Sequence, residues 1–181
     1  MKATLDQIVA EARELFRERG YAGASMQDLA DRVGLKKPSL YTRFPNKESL
    51  VPEVLALTLD ETFADLHEES CEWTVEYEAI IRRIATTLSD RQRCIGLHLA
   101  YGVSEDTPLA ATAVRGYFAA LRDRIANVLA RGVEANRAED LATDALVRLE
   151  GATLWIITSG DVRPMERAVS SLIDEAKRLA H

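Results

Sequence analysis

From residue 4 to 19 the apolar side chains recur at Leu5, Ile8, Val9, Ala12, Leu15 and Phe16, the spacing of one face of an amphipathic helix. Gly20 can supply the left-handed residue that ends it. Ser25 then opens a short segment with Asp28 three residues on, a capping-box-like start, and Met26, Leu29, Ala30 and Val33 face one way. Gly34 is placed to turn the chain. A third short helix is predicted over 37–44, with Pro38 in its first turn and Leu40 and Phe44 turned inward. Asn46 is placed to cap a fourth, longer helix that runs into the sixties.

The helical period continues to the end of the chain. Tyr77, Ile80, Ile81, Ile84 and Leu88 mark one helix, and residues 94–102 a short one. Pro108 begins the next, with Leu109, Val114, Phe118, Leu121, Ile125 and Leu129 on its face and Gly132 near its end. Residues 139–159 form another, closed by Gly160, and Pro164 starts the last. No alternating run demands a strand. The expectation is an all-α chain of about nine helices.

Composition agrees. Of 181 residues, 47% are hydrophobic and 29% charged, which is globular usage rather than disorder. No apolar run approaches the ~18 residues of a membrane helix, and the first residues lack a signal-peptide core, so a cytoplasmic protein without membrane attachment is expected. Cys71 and Cys94 have neither metal-ligand spacing nor a disulfide framework. His67 and His98 have no partner spacing for a metal, and neither metal nor cofactor is expected. There is no Gly-rich phosphate loop, metal-ligand helix or nucleophile elbow to support a helical enzyme, which stands as the competing class.

The formal net charge of −6 argues at first against a nucleic-acid partner. Its distribution reverses that. Residues 1–50 carry nine Lys/Arg against seven Asp/Glu, whereas the remainder carries 14 against 22. Between Lys36 and Lys47 there is no acid at all, while residues 60–78 hold eight acids and no Lys or Arg. That acidic run reads as a solvated face that keeps DNA off the body, or as a site for a cationic ligand.

Ser25 to Lys47 is the informative stretch. Two short helices around the Gly34 turn fit a helix-turn-helix, whose second helix meets base edges in the major groove. Lys36, Lys37, Pro38, Ser39, Tyr41, Thr42 and Arg43 would present cations, hydroxyls and a ring. Leu29, Ala30, Val33, Leu40 and Phe44 would hold the two helices together.

Residues 8–55 resemble the N-terminal domain of the TetR family of transcriptional regulators, through ELFRERGYAGASMQDLADRVGL followed by SLYTRFPNKESL. The resemblance implies a helix-turn-helix DNA-binding domain over 1–48 and a ligand-binding and dimerisation domain over 49–181. It implies a homodimer that binds a double-stranded DNA operator and responds to a small molecule. By position it carries DNA contact to Lys36–Arg43 as above, to Ser25 and Gln27 at the preceding helix start, and to Lys47 ahead of the fourth helix. Lys36 departs from the family's usual Ser or Thr cap. Pro52, one to two turns into the fourth helix, would bend it, as an absorbed kink or as part of ligand signalling.

Four further expectations concern the body. Phe63, His98, Tyr101, Tyr117, Phe118 and Trp155 are candidates for a largely apolar ligand pocket, with core packing the alternative. Leu146, Leu149, Thr153 and Ile157 on one helix, with Leu172, Ile173 and Ala176 on the next, are candidates for a four-helix dimer seam, with intrachain core the alternative. Cys94, beside Arg91 and Arg93, is either a reactive sensor thiol or a buried one. The effect on transcription, repression or activation, is left open, with repression by ligand-released binding the leading expectation.

Overall fold

Thr4 starts the first helix. Its hydroxyl accepts the Gln7 N–H at 3.2 Å, and the Gln7 side chain accepts the Thr4 N–H at 2.9 Å, a reciprocal cap. A computed structural model describes residues 3–64, 66, 72–91 and 93–180. Among these residues it contains nine helices and no strand. They are α1 (Leu5–Gly23), α2 (Met26–Arg32), α3 (Lys37–Tyr41), α4 (Leu50–Phe63), α5 (Trp73–Arg91), α6 (Ile95–Ala100), α7 (Pro108–Leu129), α8 (Ala135–Ser159) and α9 (Arg163–Leu179).

By contact the chain divides into two units: Met1–Asp60 with Ile95–Phe118, and Glu61–Cys94 with Ala119–His181. In the first unit α1 packs on α2 and α6, and α2 on α3. Ile8, Val9, Ala12, Leu15, Phe16, Leu29, Ala30 and Leu40 form its buried interior, joined by Leu50, Val51, Val54 and Leu55 of α4. Leu5, expected on the inner stripe, is half exposed because it lies in the first turn of α1. In the second unit α5, α8 and α9 pack pairwise. Ala138, Ala142, Ala145 and Ala152 keep the buried side of α8 small, so helices can approach it closely. Gly132 is required by packing: a Cβ there would come within 2.2 Å of the Trp73 ring.

Several element ends differ from expectation. α3 is a five-residue helix, and Thr42 and Arg43 continue it only as a turn. α4 begins at Leu50 rather than after Asn46; the Asn46 side chain instead accepts the Ser49 N–H in a separate turn. Pro52 therefore falls in the first turn of α4, where a missing N–H leaves no intrahelical bond unmade. The expected bend loses its cause. α8 starts a turn early, because the Glu134 carboxylate accepts the Arg137 N–H. Gly160 closes α8 in the left-handed region at φ 70°, as its position suggests.

The acidic run is also not a uniformly solvated face. Glu76 is buried and bonded to Arg131 at 2.6 Å, while Glu78 pairs with Arg82 and Lys177. Asp65, His67, Glu68, Glu69 and Cys71 lie outside the described residues.

Candidate DNA-reading head and the body beside it

The reading head is assembled from caps and turns. Ser25 caps α2 by accepting the Asp28 N–H at 3.1 Å, and the Asp28 carboxylate accepts the Ser25 N–H at 3.1 Å in return. Arg19 then bonds Asp28 at 2.7 Å and Arg32 bonds Glu18, tying α2 back to α1. Gly34 stands at φ 64°, which lets the chain reverse between α2 and α3. Lys36 is the N-cap of α3 and makes no side-chain cap bond, so its ammonium is left for other work.

Leu40 and Phe44 are buried against Leu29 and Ala30 of the same core, whereas Lys36, Lys37, Pro38, Ser39, Tyr41, Thr42 and Arg43 are all exposed. The division expected from the sequence is therefore the one the fold presents. Lys37 lies over the Tyr41 ring, 5.8 Å from its centroid, one turn along α3. Thr42 Oγ1 donates to the Pro38 carbonyl at 3.0 Å, and Arg43 donates to the Ala3 carbonyl at 3.2 Å.

Three further residues expected at phosphate have partners within the chain. The Ser25 hydroxyl is engaged in its own cap. Gln27 is exposed and donates to Asp31 at 2.8 Å. Lys47 is half-buried and points at backbone carbonyls of Tyr21 and Ala24. Nothing in a single sequence shows that last contact, because its acceptors are main-chain atoms.

Two family descriptions match this architecture. Residues 8–54 match the tetR family of bacterial regulatory proteins, and residues 75–171 match the C-terminal domain of LmrA/YxaF-like transcriptional regulators. The chain belongs to the TetR family. Among its relatives, the HTH-type transcriptional activator FasR of Mycolicibacterium smegmatis is 27% identical over 167 residues, covering 89% of this chain and 74% of that one. The HTH-type transcriptional repressor KstR2 of Rhodococcus jostii is 39% identical over 62 residues, 34% of this chain and 30% of its own. A TetR regulator from Legionella pneumophila shares the fold at a TM-score of 0.81 and 21% identity, over 96% of this chain and 97% of that one. The protein is thus a DNA-binding transcriptional regulator rather than an enzyme. Among its described residues, no helix is long and apolar enough to cross a membrane.

In this TetR-family chain the candidate pocket residues differ in burial and in their neighbours. Tyr117 is buried in edge contact with Phe118, and both rings press on Gly96 of α6, where a Cβ would come within 2.5 Å of Tyr117. His98 faces Gly20 of α1, with Nε2 3.5 Å from where a Cβ would stand. Phe63 lies under the Arg124 guanidinium at 5.5 Å. Tyr101 is 85% exposed and Trp155 55% exposed. An open groove of about 460 Å³ lies elsewhere, between α5 and α9, walled by Arg82, Ser89, Asp90, Met165 and Glu166.

The single chain itself buries most of the expected seam residues. Leu149, Thr153, Leu172, Ile173 and Ala176 are buried within the chain's own α5–α8–α9 bundle, and Leu146 is half-buried. Of the seven, Ile157 alone is exposed. The face that α8 leaves open carries Val147, Gly151, Leu154 and Trp155, and a Cβ at Gly151 would meet nothing. The spacing i, i+4, i+7, i+8 of these residues was a legible signal, but α8 has two apolar stripes and the more continuous one is intrachain.

Cys94 is buried, and its thiol donates to Glu150 of α8. That overturns the exposed, electropositive setting a sensor thiol needs. Oε2 of Glu150 is buried with no partner. Burial pushes the Glu150 carboxyl above its ordinary 4.5, against a smaller lowering by Cys94. A carboxyl raised on folding stabilises the protein below the unfolded value, and that contribution is lost as pH rises through the folded one. Glu150→Gln is therefore expected to raise the melting midpoint at pH 7.5 by about 2–4 °C. The gain should vanish near pH 4, as scanning calorimetry at both pH values would show.

Proposed function

We propose that the protein is a homodimeric repressor that leaves a palindromic operator when a small molecule binds its C-terminal part. The observation that carries the reading is the exposed, acid-free surface of α3, Lys36 to Arg43, held by a buried Leu40–Phe44 underside. Such a surface offers cations to phosphate and Lys, Ser and Tyr side chains to base edges. Lys36, Lys37, Ser39 and Tyr41 are proposed as its main contacts, with Pro38, Thr42 and Arg43 alongside and Ser25 and Gln27 at the edge.

The dimer is proposed to form through α8, on Val147, Gly151, Leu154, Trp155 and Ile157. An exposed glycine flanked by large apolar groups allows two helices to approach closely, as a symmetric seam requires. Two heads related by a two-fold axis read half-sites separated by about one helical turn, so the operator should be palindromic. Ligand action is proposed as a coupling free energy: a small molecule that favours a head spacing unsuited to DNA must be weakened by DNA to the same extent. Its pocket is proposed to draw on His98, Tyr117 and Phe118, and the protein to act in the cytoplasm.

Selection of duplexes from a random-sequence pool, followed by footprinting, tests the reading. The expected result is one enriched motif with two inverted half-sites about 10 bp apart, centre to centre. A pool that stays random contradicts it. FasR, the relative matched over most of the chain, is named an activator, which favours a second reading in which the same binding raises transcription. In vitro transcription from a promoter carrying the selected site, with and without protein, separates the two by the sign of the change.

A further inference from the structure

The corner between α1 and α2 leaves main-chain carbonyls without helical partners. At Gly20 the helical path of α1 is interrupted (φ 69°), and the chain reaches α2 through Tyr21 to Ala24. Lys47, three residues before α4, fills this corner. Its Nζ donates to the Tyr21 carbonyl at 2.5 Å and to the Ala24 carbonyl at 2.9 Å, and lies 4.4 Å from the centroid of the Tyr21 ring. Burial alone holds its ammonium below the ordinary lysine range, so these contacts have to offset a desolvation cost.

The same corner is held from its other side. Gly102, in the turn after α6, lies so close that a Cβ there would come within 2.8 Å of Tyr21 Cβ. Next to Lys47, the Glu48 carboxylate accepts the Ala110 N–H in the first turn of α7 at 3.0 Å. The Tyr21 corner is therefore fixed between the approach to α4 and the α6–α7 turn. α2 and α3 depart from it.

We propose that Lys47 is a positioning residue for operator recognition, clamping the α1–α2 corner to the start of α4 and making no contact with phosphate. The clamp rests on the DNA-binding reading above. It departs from the role carried over by position, because two of the three ammonium N–H groups are spent on carbonyls and the aromatic face covers the nitrogen. A charge committed in this way fixes the direction in which α3 is presented. It affects recognition through geometry, so it matters for a cognate site and little for generic duplex.

The test compares a palindromic duplex of about 30 bp, selected by the wild-type protein from a random pool, with an unselected duplex of equal length. Anisotropy titrations at several salt concentrations give both affinities and their salt slopes. Lys47→Met keeps the stem and removes the ammonium. The clamp predicts about a tenfold loss on the selected duplex, little change on the unselected one, and an unaltered slope. A phosphate contact would weaken both duplexes alike and make the slope shallower by about 0.9 per subunit. That result, or an unchanged affinity for the selected duplex, overturns the clamp.

Lys47→Arg keeps the charge and guards against a misfolded first variant. Its longer, planar guanidinium replaces the compact ammonium seated against the Tyr21 ring, so the preference for the selected duplex should fall here too. A wild-type preference in this variant overturns the clamp. A wild-type protein that prefers no duplex overturns the clamp together with the reading it rests on, whereas the other contrary results overturn the clamp alone.

Discussion

Replacing Lys37 and Tyr41 together by Ala is expected to cut operator affinity by about 100-fold or more. Both side chains are exposed on α3, and Tyr41 keeps 40% of its surface in solvent, so neither holds the core. The helix itself rests on Leu40 and Phe44, which the double variant leaves alone. A good base contact is worth about 1–3 kcal/mol, and each is lost in both half-sites of a dimer. The circular dichroism spectrum and melting midpoint should stay close to wild type, which assigns the loss to contact rather than folding. Tyr41→Phe separates the ring from its hydroxyl. A double variant that binds its operator within about twofold of wild type would remove α3 as the reading element.

Placing a charge on the open face of α8 should have an effect as large through a different route. Leu154 is 58% exposed in the single chain and sits beside Gly151, so Leu154→Glu costs the monomer little. In the proposed seam the same carboxylate meets its copy across a two-fold axis, unpaired and desolvated. Sedimentation velocity should show monomers where the wild type shows dimers. Operator affinity should fall by about 100-fold or more, because two linked heads gain about that much over one. Leu149→Ala provides the contrast. Leu149 is fully buried inside the chain, so its loss should lower stability by about 2–5 kcal/mol without the same selective loss of the dimer. Dimers that persist in Leu154→Glu would place the seam elsewhere.

The contrast between Leu149 and Leu154 also shows what a sequence can carry. Helices with one apolar stripe and a clear end signal were legible: α1 ahead of Gly20, α2 behind Ser25, α9 behind Pro164. The exposed and buried sides of α3 were legible too, because donors and packing residues alternate at helical spacing. α8 was not. Its stripes through Leu149 and Leu154 are both apolar, and which one meets α5 and α9 depends on partners distant in sequence. The start of α4 was misjudged for a local reason. Asn46 has a capping residue's chemistry but uses it on a separate turn. Lys47 was read by its position in the family resemblance, and its carbonyl partners at Tyr21 and Ala24 carry no side-chain signal. Glu76 likewise looked like one member of an acidic surface, and only the fold brings Arg131 to it.

An acidic chain is thus expected to recognise DNA through one small surface of its N-terminal unit. Competition titration of the purified protein between its selected operator and random duplex, at fixed physiological salt, tests this most directly. The expected result is a preference of about a thousandfold or more for the operator, with affinity for both falling steeply as salt rises. Equal affinity for the two duplexes, or binding that salt does not weaken, would contradict it.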